Sequence, residues 1–306
     1  MSISNLFKHS LYITSLAVGL FLTSCGEYQA ILKSHDNELW YQKGMEYYAA
    51  QDYDKAANLL GGVLTSYAGT ARYDTLITTY ANALFELGDF FSAAHYFSDY
   101  VKTFPSSSKC EDCQYKAGLC YYMLSPKVEL DQTDTQSAID ELLLYINLYP
   151  NAKNVDEAER MVKEMEDKLA YKAYLSAKLY FDLGNYMGNN YNSAVITAQN
   201  CLRKYPDTIH REELSFLILQ AKYIQADRSV LSKQADRFRE TIDEYYSFIN
   251  DYPVSEYKSD ADKILAKSEK GLAEAEKLLP PSSDDMDYYR NYGQRQERAK
   301  IEINKD

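Results

Sequence analysis

The sequence predicts an all-α protein: a solenoid of five helix pairs in two lobes, closed by a C-terminal capping helix. Three observations carry this. Apolar residues at offsets 0, 4, 7, 8 and 11, the spacing of one helix face, recur five times along the chain. Four of the five copies run directly into a proline at the same position. Proline lacks the N–H and disfavours helical geometry in the residue before it, so each is a stop in a fixed register. Upstream of four copies lies a small residue with a larger one three positions on, as a second, closely packed helix needs.

The clearest copy is Asp89 to Pro105, where Ala93, Phe97, Tyr100, Val101 and Phe104 share a face. The same offsets select Ala56, Leu60, Val63, Leu64 and Tyr67, then Ala138, Leu142, Tyr145, Ile146 and Tyr149. They return as Ala194, Ala198, Cys201, Leu202 and Tyr205, and as Thr241, Tyr245, Phe248, Ile249 and Tyr252. The stops are Pro105, Pro150, Pro206 and Pro253; the first copy has Ala68 instead.

The partner helices carry Gly44 and Tyr47, Ala81 and Leu84, Gly118 and Tyr121, and Ala177 and Tyr180. Turns follow at Gly88-Asp89 and Gly184-Asn185, and an aromatic stands three residues before the key position at Tyr53, Phe90, Tyr191 and Phe238. This order of small, aromatic, Ala, aromatic and Pro positions resembles the tetratricopeptide repeat. The copies are spaced by 37, 45, 56 and 47 residues, against about 34 for that repeat. Interruptions at Ser125–Thr133, Asn185–Asn189 and Ser229–Ala235 account for part of the excess. The rest is Val155 to Leu183, without Pro or Gly, a helix of about 43 Å that would join the lobes. Repeats one to three then occupy a first lobe, 37–150. The long helix, repeats four and five, and a cap from Ser255 to Leu279 occupy a second, 151–279. Residues 280–306 turn to Pro, Ser, Asp, Arg and Gln, the composition of a tail that is disordered or ordered only on a partner.

Residues 1–24 have a basic start at Lys8 and an apolar run from Leu11 to Leu22. At about 18 Å that run is too short to cross a bilayer core of about 30 Å, and it reads as a signal peptide. Leu22-Thr23-Ser24-Cys25 resembles the bacterial lipobox, which implies cleavage before Cys25 and its acylation, with 25–36 as a lipid-anchored linker. Each buried methylene adds about 0.8 kcal/mol, so two or three acyl chains hold a folded domain at a membrane. Gly26 and Glu27, with no Asp after the cysteine, imply sorting to the outer membrane, facing the periplasm of a Gram-negative cell.

The formal charge of −12 and the absence of a basic run argue against nucleic acid as a partner. Thirty tyrosines against one tryptophan read mainly as the aromatic packing positions of the repeat. We find no constellation that points to an enzyme or calls for a cofactor. His35, His95 and His210 are scattered, and the last two read as exposed helix or loop residues. Cys110 and Cys113 could form a disulfide, stay as buried thiols, act in thiol redox chemistry, or supply half a zinc site. No second pair follows at zinc spacing, no strand precedes them as a redox motif expects, and Cys120 and Cys201 fall on packing faces, so no metal is expected. The carboxylates Glu164 and Glu166 read as solvated.

A helix-pair solenoid binds along the face lined by the first helix of each pair. Counting from the small residues places Tyr41, Met45 and Tyr48, then Thr78, Asn82 and Phe85, then Tyr115, Leu119 and Tyr122 on that face, an aromatic and polar trough suited to a peptide. Tyr41, Thr78 and Tyr115 depart from the Lys and Asn of repeats that clamp acidic tails.

A lipobox followed by five pairs, with a long helix between the third and fourth, resembles the BamD family of outer-membrane β-barrel assembly lipoproteins. The most specific stretches are Leu148-Tyr-Pro-Asn-Ala, Lys168-Leu-Ala-Tyr, Ala177-Lys-Leu-Tyr-Phe and Leu202-Arg-Lys-Tyr-Pro-Asp-Thr, similar in order to the family's YPNS, RLA, VA-x-YY and LR-x-YPDT. The resemblance spans about residues 25 to 275; the acidic insertion at Glu129 to Asp134 and the tail depart from it. It implies a second lobe docked on the periplasmic repeats of the barrel-forming subunit, with Arg203 in that surface, and a first lobe that meets unfolded outer-membrane proteins, whose aromatic-rich strands suit the trough. Two other readings are an envelope lipoprotein coordinating peptidoglycan or cell-division proteins and a glycan-binding uptake lipoprotein. The latter are typically much longer.

Overall fold

The computed structural model describes residues 26–278; the expected signal peptide, Cys25 and the tail from Pro280 lie outside the described residues. All regular structure among them is helical: α1 (26–34), α2 (Asn37–Ala49), α3 (Tyr53–Tyr67), α4 (Tyr73–Glu86), α5 (Phe90–Thr103) and α6 (Cys110–Leu124). Then come α7 (Thr133–Leu148), α8 (Val155–Leu183), α9 (Asn190–Lys204), α10 (Arg211–Asp227), α11 (Leu231–Asp251) and α12 (Lys258–Leu278). The chain forms two compact units that divide between Glu166 and Asp167, inside α8.

The first unit stacks the pairs α2/α3, α4/α5 and α6/α7; the second holds the later part of α8 with α9, then α10/α11 and the capping α12. In every pair the offset-0, -4 and -7 residues of the second helix are buried, from Ala56, Leu60 and Val63 to Thr241, Tyr245 and Phe248. The offset-11 aromatic is half-buried in all five copies. Thr241 stands where other copies have Ala, and its hydroxyl donates to the Arg237 carbonyl at 2.8 Å, so its burial leaves no polar group unpaired.

The small residue sets how closely the two helices of a pair approach. A Cβ on Gly44 would lie 2.6 Å from Leu60 Cδ2, and one on Gly118 would lie 2.7 Å from Leu142 Cδ2 and 3.2 Å from the Leu142 backbone nitrogen. Leu60 and Leu142 are both offset-4 residues. Gly271 of α12 meets the Phe238 ring in the same way.

Three-residue turns join α2 to α3, α4 to α5 and α10 to α11. After α2 and α4 the chain passes through a left-handed residue, Gln51 (φ 61°) and Gly88 (φ 78°). The next N–H then donates back over the helix end, from Asp52 to the Tyr47 carbonyl at 2.9 Å and from Asp89 to the Leu84 carbonyl at 3.0 Å. The same aspartates cap the following helices, accepting from Lys55 N–H and Ser92 N–H, as Asn189 does from Asn192 N–H at the start of α9.

Between pairs the proline joints repeat one conformation. Phe104, Tyr149, Tyr205 and Tyr252 each precede a proline with φ between −130° and −125° and ψ between 56° and 70°. Each ring residue's N–H still donates to the carbonyl four residues back, at 2.8–2.9 Å. In the first unit Asp74 ties such a joint to the preceding pair. Its carboxylate accepts from Lys109 Nζ at 2.7 Å and from the buried Tyr100 hydroxyl at 2.9 Å, and the Lys109 bond holds its pKa below the usual carboxylate range.

One connection is shorter than the sequence suggests. Ser229–Ala235 was expected to interrupt the fifth pair, but α11 begins at Leu231. Ala235 is buried, and Gln234 and Arg237 bond back to the Asp227 carbonyl and the Ser229 hydroxyl. Those contacts keep the extra turn helical.

Gln51 holds a left-handed conformation that costs a side-chain-bearing residue about 1 kcal/mol relative to glycine. Gln51→Gly is expected to raise stability by about 0.5–1 kcal/mol and Gly88→Ala to lower it by about 1 kcal/mol, read as shifts of the urea midpoint at constant slope.

Candidate functional site

The nine trough residues lie on the inner helices α2, α4 and α6, and none is exposed. Tyr41 stacks on Tyr67 at 5.1 Å beneath the Arg72 guanidinium, Tyr48 meets Tyr53 edge-on at 5.7 Å, and Phe85 meets Phe90 at 5.5 Å. Met45 and Leu119 are half-buried. Thr78 is buried and donates to the Asp74 carbonyl at 3.0 Å, and Tyr115 is buried against Tyr145 at 5.3 Å.

Two trough residues tie one inner helix to the next. Asn82 of α4 donates to the Thr78 carbonyl and accepts from Lys116 Nζ of α6, both at 2.7 Å. Tyr122 of α6 donates to Glu164 of α8 at 2.8 Å, so Glu164 is not simply solvated. The trough is thus a laced surface of half-buried rings with an Asn82–Lys116 rung.

The second unit repeats the inner positions, and here sequence reasoning passed over the residues. Counting from Ala177 as from Gly44 gives Tyr174, Lys178 and Phe181, and these line a groove of about 230 Å3 with Asp182. Glu213, Phe216, Leu217 and Gln220 of α10 and Tyr257 complete it. The Phe216 and Tyr257 rings stack at 4.6 Å and 13°. His210, expected to be exposed, is half-buried, in stacking contact with Tyr171 at 5.1 Å and Tyr174 at 4.6 Å, with Nδ1 3.0 Å from Glu213 Oε2. The offset from Ala177 was the available signal for Tyr174, Lys178 and Phe181. The residues of α10 carry none, because pairing across repeats is not local in sequence.

A second groove, of about 390 Å3, lies between α8 and α9; Leu169, Lys172 and Ala173 form one wall and Asn200, Lys204 and Tyr205 the other. Arg203 is exposed at the end of α9, and its Nη2 donates to Asn200 Oδ1 at 2.7 Å, which places it at the groove's edge.

Of the readings open for the cysteines, the structure shows free, buried thiols at Cys110, Cys113, Cys120 and Cys201. Cys110 Sγ donates to the Phe104 carbonyl at 3.0 Å. Burial pushes the Cys113 and Cys120 thiols up to about 12, the opposite of what a reactive thiolate needs.

The helix pairs, their small-residue contacts and their aromatic inner face place the molecule among the tetratricopeptide-repeat folds. The chain belongs to the YfiO family of outer membrane lipoproteins, whose profile matches residues 33–188 and 183–279. A relative from Aquifex aeolicus (strain VF5) that carries the BamD designation is 25% identical over 248 residues, 77% of this chain and 78% of its own. The outer membrane protein assembly factor BamD of Rickettsia prowazekii (strain Madrid E) is 22% identical over 212 residues, 67% of this chain and 80% of that protein. That of Caulobacter vibrioides is 22% identical over 156 residues, 51% of this chain and 48% of that one. Among solved structures, the TPR2AB domain of yeast Sti1 aligns with 76% of the chain at 14% identity and a TM-score of 0.33, too loose a match to add to the fold described above.

The buried acids give a pH prediction. Burial pushes the Tyr80, Tyr100 and Tyr115 hydroxyls up to about 12, as it does the two thiols. For Tyr245 the hydrogen bond to Asp262 is the main cause of a rise to about 12. A group that holds its proton more tightly when folded adds stability below its unfolded value and loses that contribution as pH climbs through the folded one. Stability is therefore expected to hold near neutrality and fall from about pH 8.5–10 upward. Urea midpoints across that range, with tyrosinate absorbance appearing together with unfolding, check this.

Proposed function

We propose that the chain is a non-enzymatic scaffold of the outer-membrane β-barrel assembly machinery. The observation that carries this reading is the family match, which runs across both units from residue 33 to 279. Relatives named as outer membrane protein assembly factors cover most of the solenoid.

In this reading acylated Cys25 holds the protein to the inner leaflet of the outer membrane, and the solenoid faces the periplasm. The family's description as lipoproteins agrees with the Leu22-Thr23-Ser24-Cys25 ending, and no described helix is long and apolar enough to cross a membrane. The second unit docks on the periplasmic part of the barrel-forming subunit, with Arg203 in the contact. Its exposure at the end of α9 leaves most of the guanidinium's five donors available. The first unit receives unfolded outer-membrane proteins along Tyr41, Met45, Tyr48, Thr78, Asn82, Phe85, Tyr115, Leu119 and Tyr122. Half-buried rings held by stacked and edge contacts give a peptide a preorganised apolar surface at low entropic cost.

Two experiments separate the parts of this proposal. Cys25→Ala is expected to move the protein from the membrane fraction to the soluble periplasm, and a variant still recovered in the membrane would remove the acyl anchor. Arg203→Glu is expected to lower recovery of the barrel subunit by about tenfold in pull-downs from solubilised envelope, with the thermal midpoint unchanged because the side chain is exposed. Undiminished recovery would take Arg203 out of the interface.

A further inference from the structure

We propose that the inner groove of the second unit is a docking site for the chain's own segment Tyr288–Arg295, with the Arg290 guanidinium seated against the groove's rings and the Glu213 carboxylate. The groove presents Tyr174, Phe181, Phe216 and Tyr257 beside the carboxylates of Asp182 and Glu213, against the single cation Lys178. Rings and carboxylates together are the chemistry that receives a guanidinium, by cation–π attraction and by charge-assisted hydrogen bonds. The negative field extends past the lining. Burial, then the carboxylates of Glu256, Glu213 and Glu212, push the Tyr257 hydroxyl up, and Glu212 Oε1 is buried without a hydrogen-bond partner among the described residues.

Charge and reach select the occupant. The chain carries −12 overall, yet between Arg290 and Lys305 five basic residues face only Glu297 and Glu302. Tyr257 immediately precedes α12, so a segment leaving the far end of that helix must run back along it. Twenty-one residues of α12 rise about 30 Å. Pro280 and Pro281 lack the N–H that a helix needs, and the twelve residues from Leu279 to Arg290 span up to about 40 Å when extended. Arg290 is the first basic residue after Lys277, and it falls where the chain has just enough length to regain the groove. The preceding Asp284, Asp285 and Asp287 serve as spacer, and Tyr288, Tyr289 and Tyr292 flank the arginine with apolar area. A partner peptide that uses this groove must displace the segment. The inference does not depend on the assembly role.

The test is photo-crosslinking in the full acylated chain, with benzoylphenylalanine in place of Tyr289 and cross-links mapped by mass spectrometry on mixed light- and heavy-isotope protein. The expected result is intramolecular cross-linking to 174–182 or 213–220. Arg290→Glu should lower the yield about five- to tenfold, and Lys178→Glu, a change at an exposed position, should raise it. Cross-links confined to other surfaces, cross-links formed only between light and heavy chains, or a yield unmoved by Arg290→Glu would each overturn the proposal.

Discussion

The close approach of the two helices in each pair is the constraint on which the rest of the structure depends. Where Gly44 faces Leu60 and Gly118 faces Leu142, a Cβ would have no room, so the offset-4 leucine reaches the partner backbone directly. That contact leaves the offset-0 position for Ala or a hydrogen-bonded Thr241 and the offset-7 position for apolar side chains from Val63 and Cys201 up to Tyr100, Tyr145 and Phe248, and all of these are buried. It also turns the remaining side of each first helix toward the inner surface, where the trough residues and the groove of Tyr174, Lys178 and Phe181 lie. The aromatic richness of the chain follows, since a stack of thin pairs needs wide, flat side chains to fill the seams between layers.

Much of this was legible in the sequence because the information was periodic. Offsets 0, 4 and 7 located the buried face of all five second helices, and the prolines located their ends, because both depend only on residues within one helix. The legibility stopped where neighbours in space are distant in the chain. Asn82 and Lys116 are 34 residues apart and Tyr122 and Glu164 are 42 apart, so nothing local announced that the trough would be tied by polar rungs. His210 looked like a surface residue for the same reason: its two stacking partners belong to α8. The extra turn of α11 was missed because its Ser, Lys and Gln residues look like a loop until the bonds to Asp227 and Ser229 are seen.

The two inner surfaces differ in how much of their chemistry is committed. In the first unit, the trough's polar atoms with assigned bonds are taken up within the solenoid: Thr78 by Asp74, Asn82 by Lys116, Tyr122 by Glu164. A ligand there meets mainly ring edges and aliphatic surface, which favours apolar segments over a particular sequence. In the second unit the groove keeps exposed charges of both signs at Lys178 and Asp182, beside stacked rings. That mixture can distinguish one charged segment from another, because an unmatched charge in a ring-lined groove is costly.

The joints between pairs are all one length where a proline is present. Six residues separate α5 from α6, α7 from α8, α9 from α10 and α11 from α12, whereas the turns inside pairs run from three residues at 87–89 to eight at 125–132. The solenoid therefore has one inelastic coordinate and one elastic one. Insertions at the elastic turns lengthen a hairpin at its tip without altering how that pair meets the next, so the family's architecture can accept new loops there while its stacking register is conserved by geometry alone.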